Sequence, residues 1–548
     1  MSVSPMMEKN NDAASFVHKE TLGNVRLRDE GNNIILVPTP SNSPNDPLNW
    51  PKAYRYYIAG VVSLAIFLTN FVAAGPTVAM IDMATDYFGA GPDLPDSISK
   101  ISYFITATTL LQGMGNLIWM PLVVKFGRRP IYVISFVLFT ATTFWAGGAS
   151  TYDSTLAARI LLGFSSGAAE CLAPLTISDI FFSMSEAPLW RKCFHSALAF
   201  ADLADEMYRI YSAALSAGVG CGIVISGLIT INLHWRYIYW VSGALVGACT
   251  LLIILTFPET EYNREKMIET ETAANASELG SQSLPSDKSR LHVYWKSLSL
   301  YSGIRTQESF SKLFVRPIIL IILPPVLWAT LIMAAAIGFL VAITSNYASA
   351  FSTLYNFKPW QSGLCFIASP VGALAGNFCG GYVSDRTADY FTKRNNGIRS
   401  PEMRLPAIAI SLITGPLALI LYGISVADAY HWIVPTVGIG LLTFSVVQAT
   451  NISLVYTIDA YRPIAGEIAV TQYAYKSAFG FLLSFYTNPW INKSGYKSAF
   501  GAMAGIIGGI ILLGAPIFIY GKRIRNTTWR WKVIRSLAHW EEDREVGE

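Results

Sequence analysis

Apolar residues in this chain gather into long runs separated by short polar stretches, and each run is about the 20 residues a helix needs to cross the hydrocarbon. Runs of this kind extend from Tyr57 to Met80, Ile101 to Pro121, Pro130 to Ala149, Thr155 to Phe182, Tyr208 to Leu233 and Tyr237 to Phe257. A polar stretch from Pro258 to Arg316 follows. Six more runs come after it: Pro317 to Thr344, Gln361 to Val383, Pro406 to Val426, Trp432 to Tyr456, Glu467 to Trp490 and Ala499 to Tyr520. Six runs, a polar linker and six more predict two matched bundles, as in transporters built from repeats. The expected fold is therefore an all-α membrane protein with twelve transmembrane helices in two pseudo-symmetric bundles. Its expected parts are a disordered tail (1–56), a first bundle (57–257), a linker (258–316), a second bundle (317–521) and a final tail (522–548).

Composition points the same way. The 548 residues are 52% hydrophobic and only 14% charged, where soluble domains carry about 25% charged residues. A single soluble core stops growing near ~300 residues, so the surplus apolar surface is expected to face lipid. A net charge of +4 offers no broad face for nucleic acid. Cys171, Cys193, Cys221, Cys249, Cys365 and Cys379 form no CxxC pair, and five of them fall in apolar runs. They read as inert buried thiols rather than as a disulfide framework or metal site. No GxxxxGK[ST] or HExxH occurs, so neither nucleotide hydrolysis nor a soluble catalytic site is expected, and no cofactor or metal. The polar N-terminus lacks the apolar core of a cleavable signal peptide.

Lysine and arginine set the expected orientation. They crowd the second–third loop (Lys125, Arg128, Arg129), the fourth–fifth (Arg191, Lys192, Arg209), the eighth–ninth (Arg386, Lys393, Arg394, Arg399, Arg404) and the final tail (Lys522, Arg523, Arg525). With twelve spans all of these fall on one side, which makes both termini and the linker cytoplasmic. Asn492-Lys493-Ser494, on the opposite side, is a candidate glycosylation sequon.

Charges inside spanning helices are costly and therefore candidates for function. The fourth run holds Arg159 and Glu170, and the eleventh holds Lys476. Glu170 has two readings: a carboxylate that exchanges protons during transport, or a structural partner of Arg159 or Lys476. Asn70, Asn346 and Gln448 add uncharged polar sites that could face a cavity. In the fifth run Gly218, Gly222 and Gly227 predict a seam of close helix approach that controls alternating access.

Several motifs carry a family resemblance. Asp46-Pro47-Leu48-Asn49-Trp50-Pro51 precedes the first run. Gly115 to Pro121 leads into Lys125-Phe126-Gly127-Arg128-Arg129-Pro130, and Gly381-Tyr382-Val383-Ser384-Asp385-Arg386 repeats that loop pattern in the second half. Arg159 to Gly163 gives RxxxG, the fifth run has the spacing of GxxxGPxxGG, and Pro258-Glu259-Thr260 ends the sixth. In this order they resemble the major facilitator superfamily, and within it the fungal twelve-span drug:proton antiporters. The resemblance implies a proton-coupling role for Arg159 and Glu170. It implies a cavity lined by Asn70, Asn346, Gln448 and Lys476, and a cytoplasmic gate of Lys125, Gly127, Arg128, Arg129, Gly381, Asp385 and Arg386.

The chain also departs from the pattern. Met120 and Val124 stand where the loop signature has Gly and Asp, and in the fifth run Ile223 and Ser226 replace Pro and Gly. Ala187 to Glu206 interrupts the fourth–fifth loop and reads as an interfacial amphipathic helix or as a translated intron. The function these features imply is proton-coupled efflux of a hydrophobic or amphipathic small molecule across the plasma membrane by a monomer. Uptake of a nutrient or polyamine, or a non-transporting membrane sensor, are the alternatives.

Overall fold

The computed structural model describes residues 46–89, 94–181, 203–262, 298, 299, 303, 306, 308–395, 400–461 and 464–534. In the first half these form α1 (Lys52–Ala74), α2 (Met80–Phe88), α3 (Leu94–Met114), α4 (Asn116–Phe126), α5 (Arg128–Gly148), α6 (Tyr152–Ile180), α7 (Leu203–Ile229) and α8 (Arg236–Thr256). The second half contains α9 (Phe310–Leu320), α10 (Pro324–Tyr355), α11 (Pro359–Cys365), α12 (Ala368–Arg394), α13 (Ala409–Ala427), α14 (Ile433–Ala460), α15 (Ala465–Leu512) and α16 (Gly514–Thr528).

Glycine and proline set most of the breaks. A 3-10 turn at Gly75–Ala79 joins α1 to α2 within the first span. Gly127, at φ 94°, turns the chain from α4 into α5, a backbone conformation that side-chain-bearing residues rarely adopt. Gly495, at φ 76°, divides α15 into the eleventh span and the start of the twelfth. Thr151 caps α6 by accepting a hydrogen bond from the Ser154 N–H.

Among the described residues eleven helices are long and apolar enough to cross a membrane. The expected eleventh run, from Glu467, does not count among them as an apolar span. It is nonetheless helical, and Glu467, Thr471, Gln472, Lys476 and Ser477 on it are buried, so its polar groups face protein rather than lipid. The seventh run starts differently from expectation. The chain turns at Ile321–Leu323, α9 takes up the end of the linker, and α10 continues to Tyr355. Most other spans overrun the apolar runs by several residues, because a helix continues beyond the hydrocarbon wherever its polar side chains reach water or protein.

One hydrophobic core lies mainly in the first half, around Ile66, Phe71, Tyr132, Leu162 and Ile253, and takes in Val470 and Ala474 of the second. A second joins the second half to the outer ends of the first, bringing Val78, Ile101, Phe104, Ile223 and Trp235 together with Phe339, Tyr347 and Phe366. The halves also meet across close contacts at three depths. Tyr103 stacks on Phe485 with centroids 5.9 Å apart. A Cβ on Gly113 would lie 2.1 Å from the Ser477 hydroxyl, and one on Gly466 would lie 2.7 Å from the Met120 methyl.

The insertion 187–206 lies outside the described residues except for its last four positions, which open α7. Cys193 lies outside them too, and the five described cysteines are free thiols.

Candidate functional site

Glu170 on α6 and Lys476 on α15 form an ion pair that crosses from one half to the other. Glu170 is 2% exposed and Lys476 8%. The Lys476 ammonium donates to Oε1 of Glu170 and lies 4.7 Å from the centre of the Tyr473 ring. Oε2 of Glu170 is buried with no hydrogen-bond partner. A buried pair of this kind holds only while both partners are charged, because removing either charge leaves the other uncompensated. Its state is therefore tied to how the two halves sit against each other.

Arg159 does not join this pair. It lies eleven residues before Glu170, about 16 Å along the helix axis at 1.5 Å per residue. Its side chain is fully buried and donates to three backbone carbonyls: Nη1 to Val72 at 3.0 Å, Nη2 to Ala73 at 3.0 Å and Nε to Phe104 at 3.2 Å. The helical ladder of α1 ends with the Gly75 N–H on the Phe71 carbonyl. The next donor in register would be residue 76, which is proline and has no N–H. The Val72 carbonyl is thus orphaned by Pro76 and satisfied by Arg159. Gly163, one turn on, lets α6 approach closely: a Cβ there would lie 2.3 Å from the Thr108 carbonyl oxygen. The RxxxG element thereby binds the fourth span to the broken first span and to the second.

The fifth-span glycines serve two faces. A Cβ on Gly218 would meet the Phe67 carbonyl oxygen at 2.5 Å, and one on Gly222 would meet that of Phe71 at 2.6 Å, so both pack α7 on α1 within the first half. Gly227 lies nine residues from Gly218, half a turn out of phase at 100° per residue. It approaches Trp360 and Gly363 of the other half, while Gly220 abuts Pro370 there.

Of the expected cavity residues, Asn70 donates to Ile66 O of its own helix at 3.2 Å. Asn346 accepts from the Tyr496 hydroxyl at 2.9 Å, and Gln448 accepts from the Ser411 hydroxyl at 2.9 Å. These three have partners inside their own halves, whereas Lys476 reaches across. A second crossing escaped the sequence reading. The Ser212 hydroxyl on α7 donates to Asn451 on α14, which donates to Asn377 on α12, both at 3.1 Å.

At the basic end of the bundle, Arg128 donates to Asp179 at 3.1 Å and pairs with Glu261 at 3.1 Å. The Glu259 carboxylate accepts the backbone N–H groups of Arg128 at 3.1 Å and Arg129 at 3.3 Å, capping the start of α5. The Arg129 side chain donates to the carbonyls of Ile254, at 2.9 Å, and Phe257. Lys125 closes the last turn of α4. In the second half Arg404 pairs with Asp385 at 3.0 Å and Asp459 at 3.4 Å. Arg128 with Asp179 and Arg404 with Asp459 occupy matching places, since each arginine lies before or at the start of the third span of its half and each acid near the end of the fourth. Comparing the two halves of the sequence would have found Asp459. Gly381 is half-buried, and Arg386 turns outward onto Tyr382 instead of joining Asp385. Asn492 is exposed beside the Gly495 break.

The family model described as Major Facilitator Superfamily matches residues 62–185 and 205–469, more than half of the chain. The chain belongs to the Major Facilitator Superfamily. Its relatives include the MFS-type transporter C1271.10c of Schizosaccharomyces pombe, 24% identical with 92% of this chain and 90% of that protein covered. The protein HOL1 of Saccharomyces cerevisiae is 24% identical, with 92% of each covered. The efflux pump vrtL of Penicillium aethiopicum is 23% identical, with 91% of each covered. Among solved structures, the proton:xylose symporter XylE shares the fold at TM-score 0.57 and 13% identity, covering 88% of this chain and all of that one. The chain is thus an all-α multi-pass membrane transporter of the fungal branch of this superfamily, and not an enzyme. The family match leaves out residues 186–204, within which most of the expected insertion falls.

Proposed function

We propose that this transporter exports a hydrophobic or amphipathic small molecule in exchange for protons, by alternating access between its two halves. The observation that carries the reading is the buried Glu170–Lys476 pair joining those halves. Protonating Glu170 removes the charge that holds Lys476, and with it one interaction of the closed arrangement. A proton can shift the balance of states only by as much as its binding differs between them, and an ion pair made in one state supplies such a difference. Arg159 then acts away from the coupling site, by fixing the break in the first span.

In this reading the charge clusters around Arg128 and Arg404 form the gate at the basic end, which faces the cytoplasm by the positive-inside rule. The export direction is supported by the efflux pump among the relatives and by the glycine-bearing faces of α7. Residues 187–206 are read as a translated intron.

Cells lacking their own efflux pumps, expressing this chain and loaded with rhodamine 6G and a panel of similar amphipathic dyes, test direction. Export lowers retained dye relative to cells carrying the Glu170→Gln variant. Accumulation above that variant would establish uptake instead, and no difference across the panel would remove the proposed substrate class.

A further inference from the structure

The exposed surface of α12 changes chemistry along its length, in a strip that winds around the helix. Ile367, Val371, Leu374 and Phe378 are exposed, the last by 71%. Tyr382, Arg386, Tyr390 and Arg394 follow at intervals of four residues, each step turning about 40° around the helix, and are also exposed. The Phe378 and Tyr382 rings stack with centroids 6.2 Å apart. The Arg386 guanidinium lies 4.9 Å from the Tyr382 ring centre and that of Arg394 lies 4.8 Å from Tyr390. Stacking engages the flat face of a guanidinium and leaves the N–H groups along its edge available to an acceptor.

Depth identifies the acceptor. From Ile367 to Arg386 is nineteen residues, about 28 Å of helix at 1.5 Å per residue. Hydrocarbon is about 30 Å thick, so an apolar face that begins at one surface reaches the opposite phosphates near Arg386. Tyr382 stands at the boundary, where aromatic side chains gather. A groove of about 400 Å³ lined by Tyr382, Val383, Arg386, Thr387 and Tyr390 opens at this level.

The neighbouring helix repeats the pattern. Phe518 of α16 packs on Phe391 at 5.8 Å, and exposed Ile519 and Tyr520 give way to Lys522 and Arg523. The acids nearby do not cancel this charge. Asp385 is paired with Arg404, and Asp389 is one carboxylate among Arg386, Lys393, Arg394, Lys522 and Arg523.

We propose that this face binds an anionic phospholipid of the cytoplasmic leaflet, with its phosphate at Arg386 and Thr387 and its additional negative charge toward Arg394. The leaflet rests on the orientation proposed above, and cytoplasmic leaflets are enriched in such lipids. Arg386 is thereby a lipid ligand rather than a gate residue.

Purified full-length protein in detergent, incubated with equal amounts of phosphatidylserine and phosphatidylcholine and examined by native mass spectrometry, reads the site whichever way the chain inserts and whatever it transports. Wild-type protein retains phosphatidylserine several-fold over phosphatidylcholine. R386Q/R394Q, a surface variant whose monodispersity is checked in the same samples, loses at least fivefold of that preference. R128Q, at the other half's charge cluster, keeps it. Equal retention by wild type and R386Q/R394Q overturns the proposal, as does displacement of the lipid by millimolar glycerol phosphate, which would mark a site for soluble phosphate.

Discussion

Replacing Arg159 with methionine tests whether this residue braces the broken first span. Methionine has similar length and apolar bulk but no donors. The carbonyls of Val72 and Ala73 lose the arginine, while that of Phe104 keeps the Thr108 hydroxyl at 2.7 Å. A buried acceptor left without a donor costs about 1–3 kcal/mol. Losing the arginine's own desolvation offsets part of that sum, leaving a loss of about 3–5 kcal/mol. At roughly 2–4 °C per kcal/mol, the melting temperature of the detergent-purified protein should fall by roughly 6–20 °C. A second substitution makes the test specific. Pro76→Ala supplies an N–H in register with the Val72 carbonyl, so in the Arg159→Met background it should restore roughly 1 kcal/mol. In the wild-type background, where Arg159 already serves that carbonyl, it should restore none. Fluorescence-detected thermal melting reads all four proteins. An Arg159→Met variant that melts with wild type, or a Pro76→Ala effect identical in both backgrounds, would refute the assignment.

Other expectations follow from the same contacts. Lys476→Met leaves Glu170 as a buried uncompensated charge and should lower stability by about 3–5 kcal/mol, while Glu170→Gln/Lys476→Met recovers most of it; additive losses in a melting series would argue against the pair. Glu259→Ala removes the carboxylate capping α5 and should cost about 0.5–2 kcal/mol, with Glu259→Gln nearer to wild type, again by melting. Gly163→Leu places side-chain atoms where the Thr108 carbonyl lies and should abolish a monodisperse peak on size exclusion, whereas Gly505→Leu, whose Cβ meets nothing within 4 Å, should be tolerated.

Much of this architecture is legible in the sequence because lipid imposes a simple rule. A helix crossing hydrocarbon reads as an apolar run whatever it packs against, so the runs and the six-plus-six division locate the spans. The eleventh shows where the rule weakens: its polar residues are hidden against other helices, and a hydropathy average cannot tell hidden from absent. Glu170 stood out as a mid-helix carboxylate. Its partner required the fold, because Lys476 is 306 residues away and the pair forms only when the halves meet. Arg159 shares a face with Glu170 but not its depth, which a count of residues along the axis already implied. The carbonyls it holds could not be read from composition, although Gly75-Pro76 marks the break that exposes them. The glycine seam likewise resolves into two faces once phase is counted, with Gly218 and Gly222 on one and Gly227 on the other. Arg386 and Asp385 are adjacent in the chain and point apart, which a loop motif alone does not distinguish.

The account stands on Glu170 linking proton binding to movement of the two halves. Wild-type and Glu170→Gln protein, reconstituted in phosphatidylcholine and phosphatidylserine vesicles containing pyranine, measure that link when rhodamine 6G is applied with and without a pH gradient. Wild type should move dye against its gradient and release a matching pulse of protons. Glu170→Gln should still exchange dye for dye at equilibrium while showing no gradient-driven accumulation and no proton pulse. Undiminished proton-driven accumulation by Glu170→Gln would contradict the account.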